Sequence, residues 1–208
     1  MSNDWNFDTN AGGSGKVGFT TFPVGITRIR VIGEAPYVRW THWLQQHRRS
    51  INCPGRSCPI CEIRRQQKAN KEPYTYAMGR RFAINIFNLE TNKVEIMEQG
   101  VGFFEDLKDL KDDAEKDSNT LQNCIIKVKR RGTGKDDTSY RLDIDEITPL
   151  TEVEMNKLKE QCTDLPEYLK EHEPKKILRV ISGEAWDSVM MSKDDEEKEE
   201  DEEQIELK

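Results

Sequence analysis

The segment Cys53-Pro-Gly-Arg-Ser-Cys58-Pro-Ile-Cys61 is where residue type and spacing most directly imply chemistry. Two cysteines separated by two residues offer both thiolates to one tetrahedral ion from a tight turn. Cys53, five residues earlier, supplies a third corner. Pro54, Gly55 and Pro59 stiffen the loops so that backbone amides can face the sulfurs. The chain has five cysteines, an odd number, with three inside nine residues, which points to metal rather than a disulfide framework. Cys124 and Cys162 fall in an expected strand and helix far along the chain, so the fourth ligand is sought at His42 or His47. His42 lies in an extended run between Trp40 and Trp43, where a ring is shielded and held. His47 lies in the polar turn Gln45-Gln-His-Arg-Arg49. The reading favours His42 and keeps His47 as the alternative. Four protein ligands leave no open coordination position, so the expectation is one structural Zn2+ and no catalysis by it.

A second chemistry is written in the alternation of cations with aromatic residues. Binding a single strand needs positive charge for phosphates and exposed rings on which bases stack. Arg28 and Arg30 begin the series. Arg39, Trp40, Trp43, Arg48 and Arg49 follow, then Tyr74, Tyr76, Arg80 and Arg81. Lys127, Lys129, Arg130, Arg131, Lys135 and Tyr140 complete it. Any one of these aromatics is as readily a core residue as a stacking platform; the clustering carries the reading. A zinc-dependent nucleic-acid-processing enzyme, nuclease- or primase-like, is the rival from another class, and a zinc-ribbon adaptor that binds protein alone is a third. Gly132-Thr-Gly134-Lys135 is too short for a phosphate-cradling loop. Asp143 and Asp145 sit two apart on one strand face, where solvent-facing charge is the commoner explanation. No nucleophile with its base is evident, and the chain is read as a non-enzyme.

The elements that must position these groups follow from periodicity. Residues 1–15, with Gly12, Gly13 and Gly15, read as a flexible leader. Thr27, Ile29 and Val31 alternate with Arg28 and Arg30 in a strand. A run at Tyr37–Trp43 leads into the cysteines, and Glu62–Ala69 reads as a short helix. Arg81–Phe87 and Lys93–Met97 flank the turn Asn88–Asn92 as a hairpin. Phe103, Phe104, Leu107 and Leu110 fall at helical spacing. Cys124–Lys129 and Ser139–Ile144 are two more strands, and beyond Pro149 the pattern turns helical, opened by a capping box of Thr151 with Glu154. The expected fold is mainly β with added helices: an OB-type barrel of five or six strands over 16–150. A zinc subdomain occupies about 38–72 and a helical extension 151–191.

Charge is unevenly spread. Residues 1–100 hold fourteen Lys and Arg against eight Asp and Glu, whereas residues 192–208 hold three against ten, and the whole chain carries −7. The tail thus accounts for an acidic balance that would otherwise argue against nucleic acid, and it reads as a disordered run of like charge. It can lie weakly in a basic groove and be displaced by nucleic acid. No stretch approaches the roughly 20 apolar residues of a membrane span, and no apolar segment follows the first residues. The expectation is a soluble protein that contacts no membrane.

Three segments, Arg39-Trp-Thr-His-Trp43, Cys53–Cys61 and Arg80-Arg-Phe-Ala-Ile-Asn85, followed by an acidic C-terminus, carry a resemblance. From about Phe19 to the tail the chain resembles phage and prophage single-stranded DNA-binding proteins. These are zinc-containing OB-fold proteins related in plan to the helix-destabilising protein of T-even phages. The resemblance implies one histidine and three cysteine ligands, the histidine falling best on His42. It implies sequence-independent coating and protection of single-stranded DNA during replication, recombination and repair, in the cytoplasm of a bacterial host. It further implies self-association on the strand and an acidic tail that recruits replication and recombination proteins. The ligand spacing differs from the T-even pattern, which leaves His42 and His47 both open. The terminus Gln204-Ile-Glu-Leu-Lys208 lacks the Asp-rich Pro-Phe ending of bacterial cellular homologues.

Overall fold

The computed structural model describes residues 18–134 and 137–190. The expected leader (1–15), Lys135 and the acidic tail (192–208) lie outside the described residues. Seven strands appear in chain order: β1 (Gly25–Val31), β2 (Tyr37–Leu44), β3 (Arg49–Asn52), β4 (Ala77–Asn88), β5 (Lys93–Gln99), β6 (Cys124–Arg131) and β7 (Ser139–Ile147). Six helices join or follow them: α1 (Pro59–Ala69), α2 (Val101–Lys116), α3 (Glu152–Lys159), α4 (Leu165–Tyr168), α5 (Pro174–Ile181) and α6 (Trp186–Met190). The strands form one antiparallel sheet in the order β3-β2-β4-β1-β6-β7, with β5 beside β4. The protein is therefore mainly β with several helices, as expected.

The closed barrel of five or six strands is a correction. Seven strands are present, and among the described residues the end strands β3 and β7 do not pair, so the sheet stays open. The reason lies in β4 and β5, whose two faces are each buried by a helix rather than by the sheet curling on itself. Ile84 and Ile86 pack with Phe103, Phe104 and Leu107 of α2. Ala83 and Ile96, on the other face, pack with Leu165 of α4 and with Leu169. Closure would have no exposed apolar face left to cover.

The chain divides into two compact units, passing from the first to the second within β2 and returning within β4. The first comprises residues 1–39 and 80–169, the second 40–79 and 170–208. In the first unit, strand alternation holds at Thr27, Ile29 and Val31, which are buried, and at Arg28, which is exposed, but fails at Arg30, which is buried. The hairpin between β4 and β5 is held by Asn88, whose Oδ1 accepts from the Glu90 backbone N–H at 3.0 Å, while Asn92 takes φ 54°. Phe103, Phe104, Leu107 and Ala114 give α2 its buried stripe. The capping box at Thr151 and Glu154 is present in both directions. The second unit has its own core, in which Leu44, Ile51, Ile60 and Tyr76 meet Ile177, Val180 and Val189 of α5 and α6.

Candidate metal centre

The second unit brings the cysteine segment and one histidine together. β2 and β3 form an antiparallel hairpin in which His42 pairs with Ile51. The Cys53 N–H donates to the Trp40 carbonyl at 2.9 Å, fixing the first cysteine just beyond the hairpin's end. The chain then turns through Gly55, at φ 64°, a left-handed conformation that glycine adopts without cost. Cys58 is the N-cap of α1, Pro59 follows in its first turn, and Cys61 sits one turn on. Proline in that turn lacks only an N–H that the helix leaves unpaired anyway.

His42, Cys53, Cys58 and Cys61 have their ligand atoms within 4.8 Å of one another, close enough to hold a metal ion. It is the one such cluster of His, Cys, Asp and Glu among the described residues. His42 Nε2 lies 3.4 Å from the sulfur of Cys58 and 3.4 Å from that of Cys61. The sulfurs of Cys53 and Cys61 are 3.6 Å apart. Metal–sulfur bonds near 2.3 Å and metal–nitrogen bonds near 2.0 Å put neighbouring tetrahedral corners about 3.5–3.8 Å apart. A disulfide would need about 2.05 Å. The spacing thus suits ligands sharing one ion, and the donor set of three thiolates and an imidazole fits a soft or borderline divalent metal.

Burial makes the cluster costly without a cation. His42 is 0% exposed, Cys58 1% and Cys53 8%. Burial pushes the Cys53 thiol up to about 12, against a backbone N–H at Gly55 that favours the thiolate. Burial also raises Cys58, but the His42 ring and the Cys61 backbone N–H outweigh it and draw that thiol down to about 7. Burial raises Cys61 as well. Three adjacent thiolates repel one another, and a divalent ion at their centre reverses that logic. His42 Nδ1 is buried and has no hydrogen-bond partner among the described residues. A ligating imidazole usually donates from its other nitrogen, and here that nitrogen has no such partner among the described residues.

His47 is not in the cluster. Its Nε2 lies 3.3 Å from the Val180 carbonyl, and its ring lies 6.2 Å from that of Trp186. The same tryptophan has the Arg49 guanidinium 5.6 Å from its centroid and the His172 ring 6.2 Å away.

The basic and aromatic residues divide. In the second unit Trp40 is 48% and Tyr74 50% exposed. The Arg64 guanidinium stacks 4.0 Å from the Tyr74 ring centre and donates to the Tyr76 carbonyl. Sequence reading passed over Arg64, although it follows Cys61 by three residues and so shares its helix face. Trp43 is half-buried and donates from Nε1 to Gln45 at 2.9 Å, and Arg48 is exposed at φ 50°. In the first unit Arg28, Lys127, Lys129 and Arg141 line the outer face of β1, β6 and β7, where Arg28 is opposite Lys127 and Lys129 opposite Arg141. Arg81 and Arg131 are exposed, and the Arg80 guanidinium lies 5.0 Å from the Phe82 ring centre.

Five residues expected at a nucleic-acid surface are used inside the fold instead. Arg30 is 4% exposed and donates to the Gln122 carbonyl at 2.7 Å. Arg39 is bound to Glu98, and Arg130 donates to the Phe22 carbonyl at 2.7 Å. Tyr76 is in the core of the second unit. Tyr140 packs against Phe22 and Phe103. Each satisfies a buried carbonyl, carboxylate or apolar neighbour that sequence alternation does not reveal. Asp145 takes Lys127 at 2.5 Å and Arg28 at 2.7 Å, and Asp143 takes Arg141 at 3.0 Å, so these carboxylates answer to cations of their own sheet. No helix among the described residues is long and apolar enough to cross a membrane. Comparison with protein-family models and with curated proteins gives no match to the chain in either case.

Proposed function

We propose that the chain is a single-stranded DNA-binding protein whose metal is one structural zinc ion held by His42, Cys53, Cys58 and Cys61. The observation that carries the reading is the exposure of Trp40 and Tyr74 by about half on the metal-bearing unit, with Arg64 already stacked on Tyr74. Half-exposed rings are the surfaces on which bases stack, each worth about 1–3 kcal/mol. Zinc is the metal that a set of three thiolates and one imidazole most favours, and a fully occupied tetrahedron performs no hydrolysis. Its part is to hold β2, β3 and α1, and with them Trp40 and Arg64, in place. In the other unit, the outer face carrying Arg28, Lys127, Lys129, Arg131 and Arg141 supplies charge for phosphates without reading sequence. Coating of DNA during replication and recombination, self-association on the strand and recruitment of partners by the acidic tail belong to the same proposal.

Titration of intrinsic tryptophan fluorescence with oligo(dT), poly(U) and duplex DNA at two salt concentrations tests it. The expected result is quenching by oligo(dT), weakened by salt, with no response to duplex. Quenching by poly(U) alone would reassign the strand to RNA. Absence of quenching by any single strand at low salt would remove the proposal and leave a protein-binding adaptor.

A further inference from the structure

Tyr74 is held by more than the cation stacked on it. Helix α1 carries Cys61, Arg64, Gln67 and Lys68 at three- and four-residue spacing, so one stripe runs from a metal ligand toward the last turn of the helix. Gln67 grips the segment Tyr74–Tyr76 at its middle residue, twice. Its Oε1 accepts from the Thr75 backbone N–H at 3.2 Å, and its Nε2 donates to the Thr75 hydroxyl at 2.6 Å. Arg64 grips the residues on either side, with its guanidinium 4.0 Å from the Tyr74 ring centre and Nη1 donating to the Tyr76 carbonyl. Tyr76 is buried in the core of the unit, yet the Tyr74 ring stays half exposed. The acids of this stretch are Glu62, paired with Arg65, and Glu72, which accepts from Asn70 Nδ2 at 3.4 Å. Lys68, one turn beyond Arg64, is exposed and has no side-chain partner among the described residues.

Resting on the strand-binding proposal above, we propose that Gln67 and Arg64 are positioning residues that preset Tyr74 as a one-faced stacking platform, and that Lys68 takes the phosphate of the nucleotide stacked there. Arg64 covers one face of the ring and has Nη1 committed to a carbonyl, so it serves the platform rather than the phosphates. The base takes the opposite face. A tyrosine on an unheld segment would lose backbone and side-chain freedom when a base arrived; here the fold has removed that freedom beforehand. Lys68 shares the helix face of Arg64, and its unpaired ammonium suits a backbone contact that carries no sequence information.

Fluorescence titration of the full, metal-loaded chain with oligo(dT), repeated over a range of salt, tests this. Gln67→Ala should weaken binding by about three- to tenfold at every salt concentration, the loss expected when a side chain must be ordered on binding. Native mass spectra should show its metal retained. Thr75→Val, which removes the hydroxyl from the other side of the clamp, should act in the same direction. If Gln67→Ala loses the metal, Thr75→Val on its exposed segment decides alone. In a Tyr74→Ala background neither should cost anything further, because the ring they position is gone. Lys68→Ala should instead reduce the steepness of log affinity against log salt by about 0.7, the share of one phosphate on a single strand. Equal losses with and without Tyr74, or wild-type affinity in both clamp variants, overturn the positioning role. An unchanged salt slope in Lys68→Ala overturns its phosphate contact. A wild-type chain that binds no single strand sinks the strand-binding proposal along with this one, whereas a binding wild type with unaltered variants sinks this inference alone.

Discussion

Asp145 accepts from Lys127 and from Arg28, and these two cations hold its carboxyl below the ordinary carboxylate range. A lowered folded-state value means that its stabilisation is complete above the unfolded value and is lost as pH falls through the folded one. Asp145→Asn should therefore flatten the acid limb of a stability-against-pH curve. It also releases two cations on the outer face, so affinity for oligo(dT) at low salt should rise by about two- to tenfold. An affinity that stays the same or falls would detach this face from strand binding. Cys58→Ser should abolish bound metal in native mass spectra and unfold the second unit, because it leaves a buried cluster with no ion to join it. Among single residues, the three cysteines were legible because their spacing is local. His42 was separable from His47 only through its tryptophan neighbours, which marked a shielded strand. Arg30 was not legible: alternation puts it with Arg28, and nothing in the sequence announces that Gln122 reaches over to cover it.

Helix α2 shows an element read correctly from its apolar spacing, and its packing sets a cost. Leu107→Ala should lower unfolding free energy by about 2–5 kcal/mol in denaturant titrations, through lost contact and residual cavity. At the start of α3, Thr151→Ala removes one direction of the capping box and should cost about 1 kcal/mol in the same measurement. These features were visible because caps and amphipathic stripes are written within one or two turns. Sheet closure was not visible, because strand count and period do not say which strands pair. Ala83, Ile84, Asn85 and Ile86 read as one half-apolar run. What decides against a barrel is that α4 and Leu169 cover one side of it while α2 covers the other. The Asn85 side chain shows how firmly the first of these is held: it donates to the Thr163 carbonyl at 2.9 Å and accepts from the Thr163 N–H at 3.2 Å.

At the scale of the whole molecule the two units have separate cores, one around α2 and one around the cysteine cluster. Chelation of the metal should therefore strip exchange protection from residues 40–79 and 170–190 while β1 and β6 keep theirs. Uniform loss along the chain would mean that the metal supports the entire fold. The metal unit is also discontinuous, its halves separated by some ninety residues. During synthesis, all four ligands leave the ribosome well before α5 and α6, whose Ile177, Val180 and Val189 complete the core around them. At about 5–20 residues per second the gap from Cys61 to these helices lasts about 6–25 s. For that interval a nascent chain carries three thiols and an imidazole without their shelter, competent to take up an ion before the protein can enclose it.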